Sequence, residues 1–215
     1  MDEDTFRASA TAMGVRLDEG ALDRFRVYER ELRKWSERVR LVSRGDRDRL
    51  AERHFIPSLA VVPHLPLGPH ALVDIGTGAG LPGIPIKIAR PDIEVCLIES
   101  ARMKALFLKA ACAELGLDGL RVAHARAESL ADKPEHRGRY QRAIARAVAA
   151  LPDLWRYAGP LLAQDGHLLA VKGPDAIQEL GPEFPPGIQV LEMPLACPTQ
   201  EAERVLVSVS RKDTG

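Results

Sequence analysis

The sequence predicts an α/β fold: a mostly parallel seven-stranded sheet with an antiparallel C-terminal hairpin, behind a helical N-terminal extension. Three patterns point to it. From Ala71 onward short apolar runs alternate with helical stretches, as in a parallel sheet covered on both faces. The last two strand candidates, Ile188–Met193 and Val205–Ser210, have no good helix between them, which suggests a closing hairpin. Before residue 65, apolar residues recur every three or four positions, the period of a one-sided helix.

The extension covers residues 1–65. Its apolar stripe is Leu22, Phe25, Tyr28, Leu32, Trp35 and Val39, and Asp18 is placed to cap the helix start. Between Arg24 and Arg53 stand eleven basic residues against six acids. That face is either a solvated, salt-bridged surface or one that meets phosphates. Pro63–Pro69 breaks the pattern and marks the boundary of a second domain, residues 66–215.

In that domain the predicted order is strand Ala71–Ile75, helix Gly83–Ala89, strand Glu94–Ile98 and helix Ala101–Leu115. Strands Arg121–Ala125 and Arg142–Ala147, helix Leu151–Leu162 and strand His167–Lys172 follow, and the terminal pair closes the order.

Composition narrows the function. The chain has 215 residues, 46% of them hydrophobic, which suffices for a packed core. Lys plus Arg equals Asp plus Glu, 30 against 30, so net charge favours no partner, and a nucleic-acid binder must concentrate its cations locally. Cys96, Cys112 and Cys197 are dispersed and odd in number, as expected of reduced thiols in a cytoplasm. No run approaches the ~20 apolar residues of a membrane helix, and the acidic N-terminus does not look like a signal peptide. Without long heptads, a monomer is the expected state.

The most informative stretch is Leu72-Val73-Asp74-Ile75-Gly76-Thr77-Gly78-Ala79-Gly80-Leu81-Pro82-Gly83, a strand running through a glycine turn into a helix. Two ligand classes compete for such a turn. A dinucleotide needs G-x-G-x-x-G, which fails from Gly76 but matches from Gly78 to Gly83. The acid Asp74 favours the other class, since a carboxylate near the turn suits a cationic sulfonium nucleoside and repels a pyrophosphate. Glu99, at the end of the second strand, is placed to accept both ribose hydroxyls of either ligand. After the third strand, Ala127 or Glu128 could read an adenine edge, although a helix-starting acid explains Glu128 equally well. Arg146 closes the fourth strand where ligands bind in open parallel sheets. It faces the ligand, or it pairs with Asp74 or Glu128 and props the pocket.

With these pieces in order, the chain resembles the bacterial glucose-inhibited division protein B family, 16S ribosomal RNA methyltransferases acting on guanine N7. The resemblance spans nearly the whole chain and is most specific over Asp74–Pro85. Lys34-Trp35, Arg53-His54, Glu99-Ser100 with Lys104, Arg146-Ala147 and Lys172-Gly173 support it. It implies a Rossmann-like class I methyltransferase fold, S-adenosyl-L-methionine as cofactor, and 16S ribosomal RNA or the small ribosomal subunit as partner. Carried over by resemblance, Gly76, Leu81, Ala127, Glu128 and Arg146 contact the cofactor and Glu99 holds its ribose. Asp74, Gly78 and Gly80 complete that site. Arg53, His54, Lys104 and Lys172 lie on the RNA side or support the site. The chain departs from the family pattern at Arg40-Leu41, where an asparagine usually stands, at Pro57-Ser58, where an aspartate does, and at Met103, usually basic.

Guanine N7 carries a lone pair and no proton, so methylation needs no general base. Bringing N7 to the cofactor requires proximity, orientation and an unstacked guanine. Two alternatives share parts of the pattern: a small-molecule methyltransferase, and a non-catalytic or NAD-type nucleotide-binding module using the Gly78–Gly83 register.

Overall fold

A computed structural model of the chain describes residues 2–146, 148–181, 184–199 and 203–212. Helices α1 (Glu3–Ala12) and α2 (Glu19–Ser36) open it. Asp18 caps α2 as expected, its carboxylate accepting from the Ala21 N–H at 2.7 Å. The stripe Leu22, Phe25, Tyr28 and Leu32 is fully buried. Phe6 of α1 meets Phe25 edge-on at 4.9 Å between centroids, and Tyr28 stacks on Phe55 at 5.2 Å.

The basic face of α2 is largely neutralised. Arg26 pairs with Glu3 and Asp23, Arg33 with Glu29 and Asp48, and Lys34 with Glu31. For these side chains the salt-bridged alternative holds. Such exposed pairs contribute about 0–1 kcal/mol each.

A 3-10 turn (Arg44–Asp46) follows, then one π turn (Ala51–Phe55) running into α3 (Ile56–Leu59). Pro57 stands at the junction of the π turn and α3 and gives no N–H to the helical ladder there. These helices share one core with the sheet. Leu22, Phe25 and Phe55 cluster with Leu72, Ile84, Leu97 and Phe107.

The sheet comprises β1 (Ala71–Ile75), β2 (Glu94–Glu99), β3 (Leu120–His124), β4 (Tyr140–Arg146), β5 (Leu162–Lys172), β6 (Ile188–Pro194) and β7 (Val205–Arg211). Helices α4 (Gly83–Ala89), α5 (Arg102–Leu115), α6 (Ala127–Ala131) and α7 (Leu151–Ala158) connect its parallel part. Strand order is β3-β2-β1-β4-β5-β7-β6. Only β7 runs antiparallel, between β5 and β6, so the expected hairpin is present. Val73 pairs with Cys96 on one side and Ala143 on the other. The connections reverse direction between β1 and β4, and in open α/β sheets that switch point opens a crevice. Among the described residues, no helix is long and apolar enough to cross a membrane.

One stretch differs from the sequence expectation. Helix α7 stops at Ala158 rather than reaching Leu162, because Gly159-Pro160 follows and proline cannot continue a helix. Leu162 already belongs to β5 and pairs with Tyr140, making β5 eleven residues long. The polar run Ala163-Gln164-Asp165-Gly166 hides that first half of the strand, and the register slips beside it, between Tyr140 and Arg142. Ala147, the expected end of β4, lies outside the described residues.

Candidate active site

The turn after β1 is tied down from beneath. Asp74 is fully buried on the face of β1 toward the N-terminal helices. Its Oδ2 accepts from Thr77 Oγ1 at 2.6 Å and from the Gly83 N–H at 2.8 Å, joining both ends of the glycine loop. Its Oδ1 has no hydrogen-bond partner among the described residues. Burial pushes this carboxyl up to about 6, against the pull of the Thr77 and Gly83 bonds and of the Arg146 charge.

Glu99 stitches the tip of β2 to the same loop. Its Oε2 accepts from the Gly78 N–H at 3.0 Å and its Oε1 from the Ala101 N–H at 2.7 Å. The Thr77 N–H donates to the Ile98 carbonyl at 3.1 Å. Each Glu99 oxygen keeps a second lone pair for a ligand hydroxyl.

Beside this tip opens a crevice of about 220 Å³, walled by Gly76, Ile98, Ser100, Ala127, Glu128 and Val148. Gly76 has φ +66°, and a Cβ there would stand 3.0 Å from Val148 Cγ2, so a side chain would intrude on this wall. The loop thus offers bare backbone to the crevice, whose lining carries one carboxylate, Glu128, and one cation, Arg126, while the Glu99 carboxylate braces the loop beside it. With Glu128 in the lining, Glu99 beside it and a single cation, the crevice fits a cationic nucleoside better than a doubly charged pyrophosphate.

Gly80 and Leu81 lie on the opposite side of the loop. At φ +90°, a Cβ on Gly80 would stand 2.4 Å from Ile84 Cδ1 and 3.0 Å from the Tyr28 hydroxyl. That hydroxyl donates to the Ala79 carbonyl at 2.6 Å, and Leu81 is buried. The structure therefore brings Gly76, Ala127 and Glu128 together at the crevice, sets Asp74, Gly78 and Glu99 as its frame, and turns Gly80 toward the N-terminal helices.

Arg146 pairs with neither acid considered from sequence. Its Nη2 donates to His54 Nδ1 at 2.9 Å. Because a guanidinium only donates, Nδ1 carries a lone pair and the proton of the neutral ring sits on Nε2, 3.4 Å from Asp46 Oδ2. Burial and the Arg146 charge pull His54 down to about 4, with Asp46 opposing. Arg53 lies beside His54 on the π turn, and Lys104 is half-buried in the first turn of α5.

Lys172 is committed elsewhere. Its Nζ donates to the Ala149 carbonyl at 2.6 Å and to Glu179 Oε2 at 2.8 Å, and that same Glu179 oxygen accepts from the Leu151 N–H. The pair clamps the β4–α7 connection that carries Val148. Sequence reasoning missed Tyr28, Asp46, Val148 and Glu179 as parts of the site. Tyr28 was legible only as one more member of an apolar stripe, and the other three carry no local signal.

Asp74 and His54 together predict a pH signature. Asp74 titrates at about 6 folded against 3.8 ordinarily, so its contribution is present below pH 4 and lost as pH rises through 6. That loss is about 3 kcal/mol at ~1.4 kcal/mol per unit. His54 runs the other way, with about 4 folded against 6.5 ordinarily, so its contribution is absent at low pH and gained as pH rises to 6.5. The gain is again about 3 kcal/mol. In the wild type these two terms nearly cancel. In Asp74→Asn the aspartate term is gone while His54 and the other lowered histidines, His64, His70 and His136, act in both proteins, so urea titrations should show stability climbing between pH 4 and 6.5 by about 3 kcal/mol more than in the wild type. A variant whose pH dependence matches the wild type contradicts this assignment.

Solved structures share the fold at low sequence identity. A ribosomal protein L11 methylase from Lactobacillus delbrueckii subsp. bulgaricus aligns with a TM-score of 0.53 at 21% identity, over 74% of this chain and 77% of that one. A precorrin-6y C5,15-methyltransferase from Geobacter metallireducens aligns at 0.54 and 15%, over 73% and 87%. The fold is that of the Rossmann-like class I methyltransferases. A family model described as rRNA small subunit methyltransferase G matches residues 21–184. A protein of that name from Roseiflexus sp. (strain RS-1) is 42% identical over 172 residues, 80% of this chain and 74% of the relative. Another, from Neisseria meningitidis serogroup C, is 34% identical over 98% of this chain and 99% of its own length. The chain belongs to this family, the one its glycine turn resembles.

Proposed function

We propose that the protein transfers the methyl group of S-adenosyl-L-methionine to N7 of a guanine in 16S ribosomal RNA, free or in the small ribosomal subunit, as a cytoplasmic monomer. The carrying observation is the bare-backbone crevice at the β1/β4 switch point, lined by Gly76 and Glu128 beside the loop that Glu99 braces, in a chain of this family. Residues 66–215 serve as the methyltransferase domain and residues 1–65 as an extension that meets the RNA.

When bound, S-adenosyl-L-methionine supplies a methyl group on a positively charged sulfur. Glu99 accepts hydrogen bonds from the ribose hydroxyls. The Ala127 N–H and Glu128 read the adenine edge, and Gly76 and Gly78 admit the ligand against the backbone. Asp74 and Arg146 act from below, holding the loop and the tip of β4, with Gly80 and Leu81 packed behind them. Guanine N7 attacks with its own lone pair, and the electrons of the broken bond stay on sulfur. No proton leaves N7, so the chain's contribution is alignment and exclusion of water. His54 Nδ1 is already occupied by Arg146, which suits a supporting role. Arg53 and Lys104 lie toward the RNA.

Lys172 acts in this scheme as a positioning residue. In Lys172→Met the connection carrying Val148 loosens, and kcat/KM should fall roughly 10–100-fold, with a smaller loss of S-adenosylhomocysteine affinity because Val148 also walls the crevice. An affinity loss as large as the activity loss contradicts that division.

The test is transfer of labelled methyl from S-adenosyl-L-methionine to small subunits, 16S ribosomal RNA and a metabolite extract, followed by mapping of the modified base. Label at one guanine N7 is expected. Label only in metabolites, or at another base, overturns the proposal.

A further inference from the structure

We propose that the concavity just beyond α2 is a phosphate-binding subsite that anchors a backbone phosphodiester of the RNA. It rests on the RNA substrate proposed above and gives it a specific point of attachment, distinct from the face of α2.

The concavity encloses about 550 Å³ and is lined by Arg38, Arg40, Arg44 and Arg47, with Ser36 and one acid, Glu37, beside them. Arg47 is fixed by donating to the Ser36 carbonyl. Its Nε and the Ser36 hydroxyl are both buried without a hydrogen-bond partner among the described residues. Two buried donors left unpaired cost free energy that an acceptor oxygen would recover. Ser36 is only 2% exposed, so its hydroxyl is built into the structure rather than displayed by chance.

The remaining cations differ from their neighbours on α2. Arg26, Arg30, Arg33 and Lys34 each face an acid, whereas Arg38, Arg40 and Arg44 are exposed and have no ion pair among the described residues. The surplus charge of the N-terminal segment is thereby concentrated on this loop. Forked guanidinium donors match the paired oxygens of a phosphate. The 3-10 turn bearing Arg44 ends on Asp46, which faces His54 and through it Arg146. The concavity is thereby linked through Asp46 and His54 to Arg146 at the tip of β4.

The test uses the full chain and the triple variant Arg38→Gln/Arg40→Gln/Arg44→Gln, whose substituted side chains hold no described contact. Binding to 16S ribosomal RNA is measured across a salt series. The slope of log K against log salt should fall by about 1, as the loss of one neutralised phosphate requires, and affinity near 0.1 M salt by about tenfold. S-adenosylhomocysteine affinity and thermal midpoint stay unchanged, and Arg26→Gln/Arg33→Gln keeps the wild-type slope. A triple variant with wild-type slope and affinity overturns the subsite while leaving the methyltransferase assignment intact. Methyl transfer to metabolites alone, with no RNA bound by the wild type, overturns both. Inorganic phosphate that binds the wild type but fails to compete with RNA overturns the assignment to the RNA backbone.

Discussion

Glu99→Ala is expected to abolish measurable S-adenosylhomocysteine binding and to lower the thermal midpoint by roughly 5–15 °C. The carboxylate is nearly buried and accepts from two backbone N–H groups, Gly78 at 3.0 Å and Ala101 at 2.7 Å. Truncation leaves both donors unpaired, at about 1–3 kcal/mol each. In a chain of this size each kcal/mol moves the midpoint by about 2–4 °C. The glycine loop also loses its tether to β2, so the ligand loses its ribose acceptor and its backbone floor together. Glu99→Gln separates the two contributions. One amide oxygen satisfies one N–H while the amide NH₂ opposes the other, so stability should fall by about half as much. Calorimetry and thermal scans of both variants check this. Wild-type affinity in Glu99→Ala contradicts the role given to the residue.

The second large effect belongs to Gly80→Ala. The position combines φ +90° with a Cβ that would stand 2.4 Å from Ile84 Cδ1. Positive φ costs an L-residue about 1–2 kcal/mol. Overpacking against buried Ile84 and Tyr28 adds about 1–3 kcal/mol. The sum, about 2–5 kcal/mol, should appear in denaturant unfolding as a shifted midpoint with unchanged slope. Gly76→Ala makes the contrast. Its Cβ meets Val148, which is 38% exposed and free to turn outward, so the fold loses mainly the backbone term. The crevice nevertheless narrows and ligand affinity drops. If Gly80→Ala unfolds no more easily than Gly76→Ala, the separation of the loop into a packing side and a ligand side is wrong.

The most legible parts of the chain were those whose chemistry is local. The boundaries of β1 and α4 follow from an apolar run ending in glycines, and Asp18 announces its cap by type and position. The first half of β5 was hidden because Ala163–Gly166 is polar and turn-like, while pairing with β4 is a tertiary effect. The π turn at Ala51–Phe55 has no signature distinct from a helix. For the site, residue types at the strand tips pointed to Glu99 and Gly76, since strand ends in parallel sheets are where ligands bind. Partnerships were not legible. Arg146 and His54 are 92 residues apart, and Lys172 meets Glu179 only because the chain doubles back over the β4–α7 connection. Nor does a count of arginines say which are neutralised by acids brought from α1 or α5.

Calorimetry on the wild type and Gly76→Val, with S-adenosylhomocysteine and with NAD, tests the central claim most directly. One S-adenosylhomocysteine per chain is expected, weakened by roughly 100-fold or more in Gly76→Val, as a filled pocket requires, with no heat from NAD. Binding of NAD in its place, or an affinity for S-adenosylhomocysteine indifferent to the valine, would contradict a sulfonium nucleoside lying across the glycine turn.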